Sequence, residues 1–564
     1  AVQAYNTDVD EQTVLDRITA TSIDTSIVSA EDNNNIITIR PNSEHRYTNT
    51  FITLYNTSTN FVGVLEVAVK EVNTEVTPMI VSGDHHTLAL MSDGTVWAWG
   101  NNTYGQLGDG GVLTSETENP IQVSGVNGSK YLSDVVDIAS GTYFSIALLK
   151  NGNVVAWGLN NDGQLGNIGE ISRKPVFVMD YNGNKLSGIV GISASRNHAI
   201  AVRADGTVFT WGSNDYGQLG NNTKTSSAYA IQVLDSTGND YLKDVVQVSA
   251  GAAYVSVVKN DGTVWSWGYN GYGALGNNST TNSNVAIQVK DSSGRGKLID
   301  ICDISTTVRS CIALTNTGNV FGWGYNYQGQ VGNGTKATSN VLPTKSSISD
   351  VVKIAGGRNN VLAIKADGTA WAWGLNQYGE LGIGTASTSG SSSAYCKESP
   401  VQIKLNSTEA LTNVTEIGTD YETSFAILGN GEVYGWGYNA YGNIGNNTTS
   451  NSSYPQKLKT QYGEEFTDKV VTLDKNTSGN VSFCIKEDGT VLGWGRRDAD
   501  NGVRLLSNRT TTQATVTELN PDFITADKRA VYVKQGESTK LNVSVSKRLN
   551  ALAGHIKIEN LDWS

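Results

Sequence analysis

The stretch IVSGDHHTLALMSDGTVWAWGNNTYGQLG, Ile80 to Gly108, decides the fold because the chain repeats it. A short strand-like run leads into Gly83 and a loop, the apolar run Thr87 to Met91 follows, and Asp93-Gly94 comes next. Asx-Gly between two alternating runs is a hairpin signal, and a type I′ turn with φ > 0 at both central residues is expected. The third run, Thr95 to Trp99, ends at Gly100, where a close backbone approach or a positive φ excludes a side chain. Asn102-Thr-Tyr-Gly-Gln-Leu-Gly108 then forms a glycine-punctuated loop whose Leu107 can return to the core.

Outward from this unit, Trp-Gly recurs at Trp157, Trp211, Trp267, Trp323, Trp373, Trp436 and Trp494, roughly 56 residues apart. The hairpin signal recurs with it, at Asn151-Gly152, Asp205-Gly206, Asp261-Gly262, Thr317-Gly318, Asp367-Gly368, Asn430-Gly431 and Asp488-Gly489. A variable polar loop precedes a fourth strand, as in Pro120 to Val123 or Pro400 to Ile403, and a proline opening a strand suits a sheet edge. Four short antiparallel strands per unit, repeated radially, describe a propeller blade, which must stack on its neighbours to bury both faces. The expected fold is all-β, a closed β-propeller with eight blades favoured and seven possible. In the eighth copy Arg496-Arg-Asp-Ala-Asp-Asn-Gly502 replaces the Asn-x-Tyr-Gly-Gln-Leu-Gly loop, which marks it as the closure seam.

The units resemble the repeats of the regulator of chromosome condensation family, over about Thr77 to Leu519. That resemblance implies a propeller, usually of seven blades. Its nuclear members act as exchange factors for a small GTPase and touch chromatin, and a secreted bacterial member inhibits β-lactamase through one propeller face. Residues 1–76 read as a small β domain, 77–519 as the propeller, and 520–564 as a partial segment similar to bacterial immunoglobulin-like surface modules. A full sandwich of that kind needs roughly 100 residues.

Composition narrows the function. Net charge is −12 with 17% charged residues, and there is no basic tract, so nucleic acid is not an expected partner. No run of eighteen apolar residues offers a membrane span. The start Ala1-Val2-Gln3-Ala4 fits a processed secreted product, although an arbitrary cut would look the same. Four cysteines without a CxxC pair argue against a zinc site. Cys302 and Cys311 are expected as small core fillers, with a disulfide the alternative.

His86 and His198 share one repeat position that other copies fill with Phe144, Tyr254, Ser310, Asn360, Thr423 and Val481, so they read as packing residues. No Gly-x-Ser-x-Gly elbow or phosphate-binding loop occurs, and no catalytic residue, metal or cofactor is expected. Binding fits better, since a propeller presents variable loops on a fixed scaffold. Within the loop joining strands one and two, His85, Tyr143, Asn197, Ala253, Arg309, Asn359, Glu422 and Asn480 occupy one repeat position and should ring one face. The expected role is an extracellular or bacterial cell-surface scaffold or adhesion module for a protein or cell-surface polymer. The alternatives are a binder or inhibitor of a specific protein, and a carbohydrate-active enzyme with carboxylates clustered at the central channel.

The tail also suggests self-association, because Leu541, Val543 and Val545 alternate with polar residues and present an apolar face to cover. Light scattering should then show concentration-dependent oligomers that deletion of 521–564 abolishes. A monomer in both cases removes the idea.

Overall fold

The computed structural model describes residues 76–111, 116–126, 129–386, 395–420, 422–460, 464–474, 481–487 and 489–496, with backbone alone at 116–119, 420 and 496. It also gives the backbone of strands at 18–22, 28–33, 36–41, 48–56, 60–69, 512–519, 524–526 and 543–545. Every regular element among these is a strand. Eight four-stranded antiparallel sheets follow one another, each in simple up-and-down order. Blade 1 runs from Met79 to Gln122, blade 2 from Val135 to Phe177, blade 3 from Ile189 to Gln232 and blade 4 from Val245 to Gln288. Blade 5 runs from Ile301 to Lys345, blade 6 from Val351 to Gln402, blade 7 from Val414 to Lys457 and blade 8 from Val470 to Leu519. The ring therefore has eight blades.

Stacking between two neighbours explains the sequence pattern within a blade. The second strand is sandwiched on both faces, so Phe144–Leu149 and Ser310–Thr315 are buried at every residue and do not alternate. The third strand carries the repeat tryptophan, and all eight are wholly buried. Seven of them donate Nε1–H to a backbone carbonyl of the preceding blade's loop, at 2.6 to 2.9 Å: Trp157 to Gln106, Trp211 to Gln164, Trp267 to Gln218, Trp323 to Ala274, Trp373 to Gln330, Trp436 to Glu380 and Trp494 to Asn443. The final glycine of each loop makes room for this: a Cβ on Gly108 would lie 2.7 Å from Trp157 Nε1.

The loop motif explains itself in the same way. In blade 1 the Asn102 side-chain oxygen accepts from Leu107 N at 3.1 Å, and Gln106 Oε1 accepts from Tyr104 N at 2.9 Å. The pattern recurs in blade 3, where Leu219 N donates to Asn214 Oδ1 and Tyr216 N to Gln218 Oε1, both at 2.9 Å. Asn214 Nδ2 meanwhile staples the following loop through Asn221 Oδ1 and the carbonyls of Thr223 and Thr225. Motif polar groups thus satisfy buried backbone that has no strand partner.

The ring closes between blades 8 and 1. Ile80, Ala89 and Trp99 pack in one cluster with Val471, Val481, Phe483, Ile485 and Val491, and Trp99 meets Phe483 edge to face at 5.3 Å. Ser82 Oγ also hydrogen-bonds Asp474 across this junction. Trp99 Nε1 differs from its seven counterparts in having no acceptor among the described residues. Its place in the order pairs it with the eighth repeat, the one that lacks the loop motif. The replacement segment itself, beyond Arg496, lies outside the described residues.

Two expectations are corrected. The hairpin turns are not type I′: Gly94 alone of Asp93-Gly94 has a positive φ, 78°, and Gly94 N donates to Met91 O at 2.9 Å while Met91 N donates to Thr95 O. This is a type I turn followed by a bulged glycine, and it recurs at Gly152, Gly206, Gly262, Gly318, Gly368, Gly431 and Gly489. Asp93 keeps the right-handed conformation because its carboxylate accepts Thr95 N and Oγ1. Asp488 lies outside the described residues. The disulfide alternative also fails, since all four cysteines are free. Cys311 sits in the core against Ser256 and faces Thr306 across the strand pair, whereas Cys302 lies at the other end of that pair, against Leu314.

Beside the blades, strands Ile18–Ser22, Thr48–Asn56 and Asn60–Val69 form one sheet, and Val28–Asn33 pairs with Ile36–Pro41. Ile524–Ala526 pairs with Val543–Val545. The other positions on which the expected immunoglobulin-like segment rested, including Ala530 to Val533 and Trp563-Ser564, lie outside the described residues.

The inter-blade bond yields a comparison of two equally buried tryptophans. Trp267→Phe strands the Gln218 carbonyl in the core and should cost about 1–3 kcal/mol more than Trp99→Phe, which removes a donor that has no acceptor among the described residues. Urea unfolding of both variants measures the difference. Equal costs would contradict the assignment.

Candidate functional site

Both the loops between strands one and two and the Asn-x-Tyr-Gly loops emerge on the same side of the ring. In the first set the ring position itself is held through its backbone carbonyl. The carbonyl of each ring position accepts the amide of the residue after Trp-Gly at 2.9 to 3.0 Å: His85 from Asn101, Tyr143 from Leu159, Asn197 from Ser213, Ala253 from Tyr269, Arg309 from Tyr325, Asn359 from Leu375 and Glu422 from Tyr438. A position fixed by its carbonyl can carry any side chain. This is the physical reason the copies differ so freely there.

The structure does not gather these side chains into one uniform ring; it sorts them into sectors. His85 stacks flat on Tyr143 at 4.6 Å, and Tyr143 meets Tyr104 edge-on at 4.9 Å. Asn197 Nδ2 donates to Asp162 Oδ2 at 3.1 Å. The exposed Arg309 places its guanidinium 4.9 Å from the Tyr272 ring and 6.0 Å from Tyr325. Glu422 is half-buried, and that burial raises its carboxyl above the usual range against the pull of Arg358. Asn359 is half-buried beside the exposed Arg358, and Asn480 lies outside the described residues.

A second set of residues, absent from the sequence-based ring, completes the face. Tyr216, Tyr269, Tyr272, Tyr325 and Tyr327 form a continuous arc across blades 3 to 5, with successive ring centroids 5.2, 6.2, 5.2 and 6.4 Å apart. Tyr378, Tyr438 and Tyr441 form a shorter arc on blades 6 and 7. Tyr216 and Tyr327 are 44% and 49% exposed. The signal was present in the sequence: Trp-Gly-Tyr followed by another tyrosine occurs at 267–272, 323–327 (there as Tyr-Asn-Tyr) and 436–441. It was obscured because the loop tyrosine reads as part of the structural motif.

Arg196, Arg309 and Arg358 line the mouth of a central cavity of about 1330 Å³, whose walls are mainly the innermost strands. Its walls are rich in Ser, Thr, Gly and Ala, and the charged groups Asp303, Lys353 and Glu416 are engaged. Gln247 donates to Asp303 at 2.7 Å, and Lys353 pairs with Glu416 at 2.7 Å in a site where both are largely buried. Asp137, raised by burial to about 6, accepts weakly from Ile192 N. No group of three His, Cys, Asp or Glu side chains that could hold a metal occurs among the described residues.

His86 and His198 lie beneath the face. Both are buried, and burial lowers them to about 3 and about 4, so they stay neutral at ordinary pH. His86 Nε2 bonds Ser145 Oγ in the next blade at 2.8 Å. Both are buried packing groups, and His86 also ties two blades together.

Comparison with known proteins agrees with this geometry. A sequence model of the RCC1-like domain matches residues 54–302 and 230–551. The human E3 ubiquitin-protein ligase HERC2 is 31% identical over 255 residues, 45% of this chain and 5% of its own length. The Arabidopsis thaliana ultraviolet-B receptor UVR8 is 29% identical over 265 residues, 46% of this chain and 56% of its own length. The chain thus covers between a twentieth and just over half of these relatives. Among solved structures, human WBSCR16 superposes with a TM-score of 0.51 at 21% identity, covering 68% of this chain and 97% of that one. Saccharomyces cerevisiae Prp20p, described by its binding to Gsp1p and histones, gives 0.51 at 20% identity, covering 70% and 90%.

Proposed function

The chain belongs to the RCC1-like domain family, and on that footing we propose that it is a binding scaffold whose loop face grips a protein partner, centred on Arg309 and the tyrosines of blades 3 to 5. The carrying observation is the arc itself: five tyrosines and an arginine held side by side on backbone that hydrogen bonds have already fixed. Tyr and Arg dominate interaction centres because they offer large contact area at low entropic cost. Pre-ordering by neighbouring rings lowers that cost further. Prp20p, of the same fold, is described as binding two protein partners, which supports a propeller in such a role.

The setting we propose is extracellular or at a bacterial cell surface. The acidic, sparsely charged composition supports it. An inhibitor of a specific enzyme would use the same face with the enzyme as partner. Catalysis draws less support, because Asp303 and Glu416 in the channel are held by Gln247 and Lys353 and face different blades.

Affinity capture with three proteins tests the proposal: the wild type, the loop-face variant Tyr272→Ala/Arg309→Ala/Tyr325→Ala, and the turn-side variant Val190→Glu/Val246→Glu, which alters exposed valines of the innermost strands. The loop-face variant should unfold like wild type yet weaken the captured complex by about 30-fold or more, the effect of losing central anchors. The valine variant should bind normally. The reverse pattern would move the site to the other face.

A further inference from the structure

Glu380 is the one acidic residue at a loop position that four other blades give to glutamine, blade 4 to Ala274 and blade 7 to Asn443. Gln106, Gln164, Gln218 and Gln330 each accept, through Oε1, the amide two residues earlier at 2.9 to 3.0 Å. Glu380 does the same with Oε2, accepting from Tyr378 N at 2.8 Å. The difference lies in the other atom of the head group. Gln106 Nε2 donates to Asn101 Oδ1 at 2.9 Å, and Gln218 Nε2 lies 3.4 Å from Ser213 Oγ. Blade 6 puts the buried, apolar Leu375 where those acceptors stand, just as blade 2 puts Leu159 there and leaves Gln164 Nε2 unpartnered; in blade 6 the atom left without a partner among the described residues is a carboxylate oxygen, Glu380 Oε1.

Among the described residues no cation compensates it. Glu380 is 1% exposed in the gap between blades 6 and 7. From the blade 7 loop Glu422 repels it, while Arg358 of blade 6 acts on Glu422. The thiol of Cys396, next to the outer strand, also feels its charge, and the rings of Tyr378 and Tyr438, from the same two loops, lie 4.9 Å apart at a 60° tilt. The backbone carbonyl of Glu380 meanwhile receives both Trp436 Nε1 and Ser424 Oγ from blade 7, at 2.8 and 2.9 Å. Whatever moves Glu380 disturbs the contact between the blades.

We infer that Glu380 is a proton-operated latch between blades 6 and 7. Protonated, its carboxyl stands in for the glutamine amide and holds the loop 376–382 against blade 7; ionised, it leaves the gap and frees that loop together with Tyr378. No bond is made or broken beyond the carboxyl O–H, and the proton goes to solvent. Burial is the main cause that raises this carboxyl from 4.5 to about 7, with Glu422 adding to it. A folded value above the unfolded one means that the stabilisation is whole below about 4.5, declines as pH rises, and is gone above about 7. The latch therefore opens across the neutral range. It does not depend on the partner proposed above.

Hydrogen exchange of the 376–382 segment, corrected for the intrinsic pH dependence, reads the latch directly. Between pH 6 and pH 8 the wild type should show at least a tenfold rise in opening that Glu380→Gln lacks, and the urea midpoint of the wild type should fall relative to Glu380→Gln over the same range. Glu422→Gln, which keeps Glu380, should move the transition to lower pH by removing a repelling charge. Transplanting the group with Gln330→Glu should create a similar pH-dependent opening between blades 5 and 6. An identical pH response in the wild type and Glu380→Gln would overturn the latch. Should Glu380→Gln fail to fold, an unmoved transition in Glu422→Gln would overturn it equally.

Discussion

Seven indole N–H groups, each buried in one blade and bonded to a loop carbonyl of the blade before it, hold this ring together. A buried donor left without its acceptor costs about 1–3 kcal/mol, so each bond fixes how far one blade may slide on the next. The acceptor exists only if the Asn-x-Tyr-Gly-Gln-Leu-Gly loop takes one shape. Its asparagine, glutamine and glycines are all spent on that shape: two side-chain oxygens satisfy loop amides, and the last glycine leaves room for the indole. Apolar burial supplies the bulk of the stability, as in any stacked repeat, and the indole bonds set the register.

Fixing the loops from beneath frees their tops. The ring positions between strands one and two are held by carbonyls, so Arg309, Ala253 and Glu422 can stand at equivalent places without disturbing the scaffold. The same rigidity brings tyrosines from adjacent blades within 5 to 6 Å of one another, close enough to order each other before any partner arrives. Glu380 shows the limit of this freedom, for it alters a group inside the lock and makes one junction answer to pH.

Much of this was legible in the residues. Trp-Gly recurrence located the eight blades, and the departure at Arg496 located the seam, where Trp99 has no acceptor among the described residues. The turn type was not legible, because Asx-Gly suits two hairpins that differ by a single loop residue. The structure takes the longer one, with the glycine alone left-handed and Asp93 bonded to Thr95. The site was half visible. Arg309 and Tyr143 could be named from their repeat position, but the tyrosines that flank them come from a different loop, and only the fold brings Tyr272 beneath Arg309. Side chains on separate repeats meet through ring geometry, which spacing along the chain does not encode.

The claim on which the rest stands is that the indole bonds lock seven junctions, while at the eighth Trp99 Nε1 has no acceptor among the described residues. Indole N–H exchange in a tryptophan-labelled sample, followed by NMR after transfer to heavy water, addresses it most directly. The signals of Trp157, Trp211, Trp267, Trp323, Trp373, Trp436 and Trp494 should persist as long as the slowest core amides, with Trp99 disappearing well before them. Half-exposed Trp265 and Trp371, bonded to Thr263 and Thr369, should vanish first. Persistence of Trp99 alongside the other seven, or early loss of Trp267 together with Trp265, would contradict the account.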